Sequence, residues 1–335
     1  MKTYERMRNG FFPKRWLRGL VLLMILCLSF WAVADGAEFP SKSIQITVPY
    51  APGGPVDTTA RILSKRLSDL LGQQIVVVNK PGGGTAIGIQ SVLEAPADGY
   101  TILIGDISTV TLPLLTKGIT FSLEDFIPIN VATSAPLSLV VKSNARWNSF
   151  EELIAEIKKN PDKITYSNVG PGGFNRFACE SLQMETGTKV TQVPYSAGAA
   201  AAVSAVLGGH VDMTILGRQV IIGHLKAGTL KELVVLSRTR QKDSPNIPSI
   251  SEKGYPNLIT TLWVAFFVSK NVAQSTVKKL GEVFSKVLDE KEIQESLNKV
   301  GLDIENLGPG EAKKFLELEL KRWAKVAKAA NILPQ

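Results

Sequence analysis

Two glycine-bearing segments hold the residues best placed for chemistry. Tyr50-Ala51-Pro52-Gly53-Gly54-Pro55-Val56-Asp57 follows an apolar run, Ile44 to Val48, and opens an amphipathic stretch. Ser167-Asn168-Val169-Gly170-Pro171-Gly172-Gly173 closes a second run, Ile164 to Ser167, and opens another. A glycine turn from strand into helix leaves the first backbone N–H groups of the helix unpaired at its positive end, so each segment is a candidate cradle for an anion. Glycine after a strand also serves a plain tight turn, but two such loops at corresponding points favour the cradle. Pro55 near N1 and Asp57 near N3 both suit a helix start, and Asp57 reads as a stabiliser of that start. Arg176 falls in the first turn of the second helix, where a cation opposes the helix dipole, and its presence there fits either a carboxylate partner or a solvated surface arginine.

Standard catalytic signatures are absent. The chain has no G-x-S-x-G elbow, no G-x-x-x-x-G-K-[ST] loop and no H-E-x-x-H helix, and Asn175 stands where a dinucleotide fingerprint beginning at Gly170 needs its third glycine. His210 and His224 are the only histidines, with Asp212 the nearest acid to His210, so a metal site would lack ligands. Cys179 lies among Phe177 and Leu182, the setting of a buried structural thiol.

The elements that must position the loops are legible as periodicity. Runs of strand character at Ile44 to Val48, Ile75 to Val78 and Thr101 to Ile104 alternate with helical spacing over Val56 to Leu71 and Ile87 to Leu93. A second series follows Leu137 to Val141. Ser149 to Glu152 is a capping box for a helix that stops before Pro161, and strands at Ile164 to Ser167, Val190 to Val193, Val211 to Ile215 and Leu233 to Leu236 are separated by helices through Phe177 and from Ala199 to Leu207. A strand from Leu262 to Val268 and three helices end the chain. Two β-α-β-α-β sets predict an α/β fold with a mainly parallel sheet flanked by helices in each of two lobes, and a ligand cleft at the carboxyl ends of the strands.

The 335 residues carry 38 Lys plus Arg against 30 Asp plus Glu, net +8. Six basic residues and one acid precede the apolar run Leu20 to Ala34, which ends in Ala32-Val33-Ala34. A basic start, a run too short for a comfortable membrane span and small residues at its end predict a signal peptide over residues 1–34, cleaved after Ala34. Without it the net charge is +3, which removes the case for a nucleic-acid partner. Cys179 is then the only cysteine, so no internal disulfide can form.

The motifs PYAPGGPVDTTAR (49–61), VVVNKPGGGTAIG (76–88), APADGYTILIG (95–105), YSNVGPGG (166–173), VPYSAGAAA (193–201), LGGHVDM (207–213) and RWAKVAKAANI (322–332) together carry a resemblance. The chain resembles the extracytoplasmic substrate-binding receptors of tripartite tricarboxylate transporters. The resemblance implies a two-lobed type II periplasmic binding-protein fold of the Venus-flytrap kind. It implies a monomeric periplasmic receptor, without cofactor or metal, that hands a small carboxylate to a membrane permease of one large and one small subunit. It places the ligand carboxylate against Tyr50, Ala51, Pro52, Gly53, Gly54 and Asp57 of the first loop and Asn168, Gly170, Gly172 and Gly173 of the second.

Departures from the family pattern bear on the ligand. Phe174-Asn175-Arg176 replaces small hydroxyl residues and a histidine, Leu216 stands where an aspartate is common, and Leu112 replaces an asparagine while Ser108 keeps a hydroxyl nearby. These changes favour a di- or tricarboxylate or an aromatic acid over an amino acid, with Arg176 and Arg218 as counter-charges. Phe174, Tyr195 and Trp263 are candidates for the apolar lining. The expected lobes are residues 35–136 with 256–335, and residues 137–255, with hinges near Ala135-Pro136 and Ser249 to Leu262. A ligand-binding component of an exported sensor, or an exported enzyme, are the alternative readings.

Overall fold

The computed structural model describes residues 39–169, 174–195 and 198–329. The expected signal peptide and Gly170, Gly172 and Gly173 of the second glycine loop lie outside the described residues.

Strand β1 (Ile44–Val48) places Ile44, Ile46 and Val48 in the core without exposure and leads through the first glycine loop into helix α1 (Pro55–Leu71). Pro55 opens that helix, and Val56, Ala60, Leu63, Leu67 and Leu71 recur every three or four residues along its buried stripe. Gly72 ends it in the left-handed conformation at φ 68, its N–H bonding back to the Ser68 carbonyl. Strand β2 (Ile75–Asn79), helix α2 (Ala86–Leu93) and strand β3 (Thr101–Asp106) complete the first β-α-β-α-β set, with β2 and β3 parallel to β1 on either side. Gly88 lets α2 close against the exit of β1, because a side chain there would meet the Lys80 carbonyl and the Pro49 backbone at 2.7 Å.

Helix α3 (Ile107–Leu115) follows β3 without a loop, and strand β4 (Phe126–Lys142) then runs for 17 residues. Helix α4 (Phe150–Lys159) starts at the expected cap, where Ser149 Oγ accepts from the Glu152 amide. Next come strand β5 (Thr165–Asn168), helix α5 (Phe174–Thr186), strand β6 (Thr191–Pro194), helix α6 (Ala199–Gly208), strand β7 (Met213–Gly217), helix α7 (Arg218–Lys226) and strand β8 (Leu230–Val235). Strand β9 (Thr261–Ser269), helices α8 (Gln274–Leu288) and α9 (Lys291–Lys299), strand β10 (Asp303–Leu307) and helix α10 (Pro309–Ala329) end the described chain.

The strand order is β2-β1-β3-β9-β4-β7-β5-β6, with β10 and β8 also paired to β4. The pairs that carry the glycine loops are parallel, whereas β9, β10, β7 and β8 all run antiparallel to β4. Along β4 the neighbours change at one point: Pro136 is the last residue registered with β9, and Leu137 is the first registered with β7. Three backbone hydrogen bonds join the crossing segments there, from Leu137 N–H to the Thr260 carbonyl, Thr260 N–H to Leu236, and Leu236 N–H to Leu137. Helix α10 reaches over this junction. Its Trp323 meets Phe177 of α5 edge-on at 5.4 Å, and Arg322 donates to the carbonyls of Asn257 and Ile259.

Four features depart from the periodicity reading: α3, the first half of β4, α7 and β10. Helix α3 is buried nearly all round and contains Pro113, so it shows no stripe, and β10 is a polar strand with no fully buried residue.

Candidate ligand-binding site

At the carboxyl end of β1, the first loop exposes Ala51, Pro52 and Gly53, and Gly54 caps α1 in extended conformation with no side-chain acceptor. Asp57 turns back to organise the loop: its carboxylate accepts from Gly53 N–H at 2.9 Å, Arg61 Nε at 2.9 Å and Asn79 Nδ2 at 2.9 Å. Burial works against its charge, but these donors outweigh burial and hold its carboxyl below the ordinary range. Asp57 thus serves the helix start rather than a ligand.

Tyr50 ties this loop to the end of β3. Its hydroxyl lies 2.9 and 2.8 Å from the two Asp106 oxygens, and Asp106 also accepts from Ser108 N–H at 2.9 Å and Ser108 Oγ at 2.6 Å, capping α3. Thr85 Oγ1 donates to Ser108 Oγ at 3.2 Å from a run of left-handed backbone, Gly82 to Gly84, that continues into Thr85 itself at φ 92. A β-branched residue in that region costs about 1–3 kcal/mol and is held only by its surroundings. Burial raises the Asp106 carboxyl above the ordinary range despite these donors, and burial and then the Asp106 charge push the Tyr50 phenol well up. Asp106 and Thr85 were not candidates in the sequence. The signal was present as an acid ending a strand with a hydroxyl residue two positions later, which is a side-chain cap onto a helix.

In the second half, β5 ends at Asn168 and β6 at Pro194. Asn168, Arg176, Glu180, Gln192 and Pro194 line a cavity of about 220 Å³. Its floor is a chain of fixed polar groups: Asn168 Nδ2 donates to Gln192 Oε1 at 3.1 Å, and Gln192 Nε2 donates to Glu180 Oε1 at 2.7 Å. Asn175, fully buried, shapes the entrance to α5, its side chain accepting from Val169 N–H and its carbonyl from Tyr166 Oη. Phe174 is half-buried against the core, and Tyr195 is half-buried with its N–H donated to the Asn168 carbonyl.

Three candidates take other roles. Arg218 is 4% exposed, and its guanidinium pairs with the buried carboxylate of Glu232 and, at 2.9 Å, with Asp243. Burial opposes its charge, but the two carboxylates outweigh that and hold it protonated, so its charge is matched inside the protein. Leu216 is a fully buried core residue of β7 beside Val140 and Val206. Trp263 is likewise fully buried, its indole N–H donating to Glu319 at 3.0 Å and its ring edge-on to Phe315. Cys179 is buried, and burial pushes its thiol well up. Among the described residues no cluster of His, Cys, Asp and Glu is arranged to hold a metal, and no helix is long and apolar enough to cross a membrane.

The family model described as the tripartite tricarboxylate transporter family receptor matches residues 59–332. BugT of Bordetella pertussis is 30% identical over 315 residues, covering 93% of this chain and 96% of that protein. Among solved structures, Rhodopseudomonas palustris Rpa4515 with adipate has a TM-score of 0.81 at 28% identity, over 89% of this chain and 100% of its own. MatC from Rhodopseudomonas palustris with bound malate has a TM-score of 0.76 at 25% identity, over 86% of this chain and 99% of its own.

Proposed function

The chain belongs to the tripartite tricarboxylate transporter receptor family, solute-binding proteins of two-lobed periplasmic fold, and from that premise we propose that it captures a small di- or tricarboxylate or an aromatic acid. The observation that carries the reading is the first loop: a parallel strand delivers its carboxyl end to a helix whose N-cap, Gly54, offers no side-chain acceptor, above a hydroxyl network. Such an end attracts one carboxylate. Arg176 and the amide floor of Asn168 and Gln192 supply a second polar end, which suits the dicarboxylates named with two of the similar structures. Tyr50, Ser108, the 50–54 backbone, Asn168, Arg176 and Tyr195 are the contacts in this reading.

The lobes are residues 35–136 with 256–335, and residues 137–255, which meet where β4 changes partners. A ligand that touches both binds the closed arrangement better and shifts the population toward it. The closed form then delivers the ligand to a membrane permease of one large and one small subunit, outside the cytoplasm.

The test is a thermal-shift screen of ligand-stripped protein with adipate, malate, citrate and benzoate beside their amides. A ligand at 100 times its Kd adds about 2.7 kcal/mol, a visible shift. A carboxylate shift abolished by amidation supports the reading, and no shift with any acid overturns it.

A further inference from the structure

Residues 35–335 hold 32 basic and 29 acidic side chains, and α10 alone holds six basic against three acidic. The +3 of this one helix equals the whole excess, so the rest of that stretch is neutral. Within α10 the charge is arranged in a line. Lys314, Leu318, Lys321, Lys325 and Lys328 follow at intervals of four, three, four and three, which at 3.6 residues per turn sets them along one face about 21 Å long. All five are exposed, Leu318 at 66%. No carboxylate lies within ion-pairing distance of these lysines among the described residues, although Glu317 flanks the stripe one turn before Lys321. Lysines of α8 and α9, by contrast, have glutamates at the next turn, Lys278 with Glu282 and Lys291 with Glu295.

Like charges at Lys321 and Lys325 repel across one turn, which an acidic partner would relieve. The rest of the helix says what kind of partner. A helix that lies in a membrane interface needs a broad apolar face, and that of α10 is already buried in the protein through Ala312, Leu316, Trp323 and Ala327. Only Leu318 remains outward, a single apolar contact framed by cations.

We propose that this stripe is a docking face for an acidic protein surface with an apolar recess for Leu318. Identifying that partner with the membrane permease rests on the receptor reading. Because α10 also packs on α5 through Trp323 and Phe177, a partner seated here touches the element that joins the two halves of the sheet.

The test places a photo-cross-linking amino acid at position 318 of the full chain in the cells that make it, with the same residue at Met184, an exposed apolar site on α5, as control. The expected result is an adduct to an Asp- and Glu-rich extracytoplasmic segment of a membrane protein. Its yield falls at least tenfold in a Lys321→Glu, Lys325→Glu background, and position 184 does not form it. No adduct, an adduct to lipid alone, or a yield indifferent to charge reversal overturns the proposal. The carboxylate thermal shift is read on the same proteins. A preserved shift without the adduct overturns the docking face alone, and the adduct without any carboxylate shift overturns the receptor reading alone.

Discussion

Arg176 and Arg218 occupy matching places, each in the first turn of a helix that follows a strand of the second half, yet one lines a cavity and the other is buried in the core. Arg176 lines a cavity together with Asn168, Glu180, Gln192 and Pro194. Arg218 is buried between Glu232 and Asp243, with Ser138 donating to Glu232 from β4. The acids that claim Arg218 lie 14 and 25 residues away in the chain, on β8 and in the loop beyond it.

The largest effect that would separate the two arginines is on stability. Arg218→Ala leaves Glu232 buried without its partner and is expected to cost about 3–5 kcal/mol in denaturant unfolding, while any protein that folds keeps its carboxylate affinity. A normal affinity in Arg218→Ala sharpens the contrast, and a specific loss of affinity at unchanged stability breaks it. Arg176→Ala should do the reverse: Kd for the carboxylate found by thermal shift rises about tenfold or more, since charge-assisted hydrogen bonds contribute about 1.5–3 kcal/mol, and stability stays within about 0.5 kcal/mol. Calorimetric titration of both variants decides between them.

Asp106 extends the comparison to the first half, where a buried carboxylate is held by hydroxyls rather than by a cation. Its carboxyl is raised in the folded protein, so the folded state holds the proton longer than the unfolded chain does. Stability from this group is therefore present at acid pH and declines as pH rises from the ordinary carboxylate range through the raised folded value. Denaturant midpoints of Asp106→Asn against pH should lack that decline, and parallel curves for the two proteins would contradict it. The smallest effect is that of Trp263→Phe, which removes one indole donor from Glu319. It is expected to cost about 1 kcal/mol and leave Kd unchanged, as fits a residue of the core rather than of the cleft.

Most elements could be read from the chain because they are amphipathic or bounded by glycine and proline. Gly72, Ser149 and Pro161 mark their ends through conformational limits that act locally. Helix α3 could not, since burial on every side erases the stripe that periodicity needs. The site was legible to the same depth. The first loop and Pro55 obey local rules, and the part Asp57 plays at the helix start and the position of Arg176 in the first turn of α5 follow from helix ends. The fates of Arg218, Trp263 and Leu216 depended on partners brought in by topology: Glu232 across β4, Glu319 from the last helix, and a core closed by α6. Residue type and spacing announce a charge or a ring, but not what will stand beside it.

Glu319 accepts at one oxygen from both Trp263, 3.0 Å away on β9, and Trp323, 2.9 Å away on α10, and Trp323 in turn lies against Phe177 of the other half. The two indoles are thus wired to a single carboxylate, one fixed to the strand that leaves the junction and one resting on the opposite side. A rotation between the halves is expected to alter the surroundings of Trp323, which touches Phe177, more than those of Trp263. A shift in native tryptophan emission on addition of a carboxylate is the expected sign of such a rotation, read without a label.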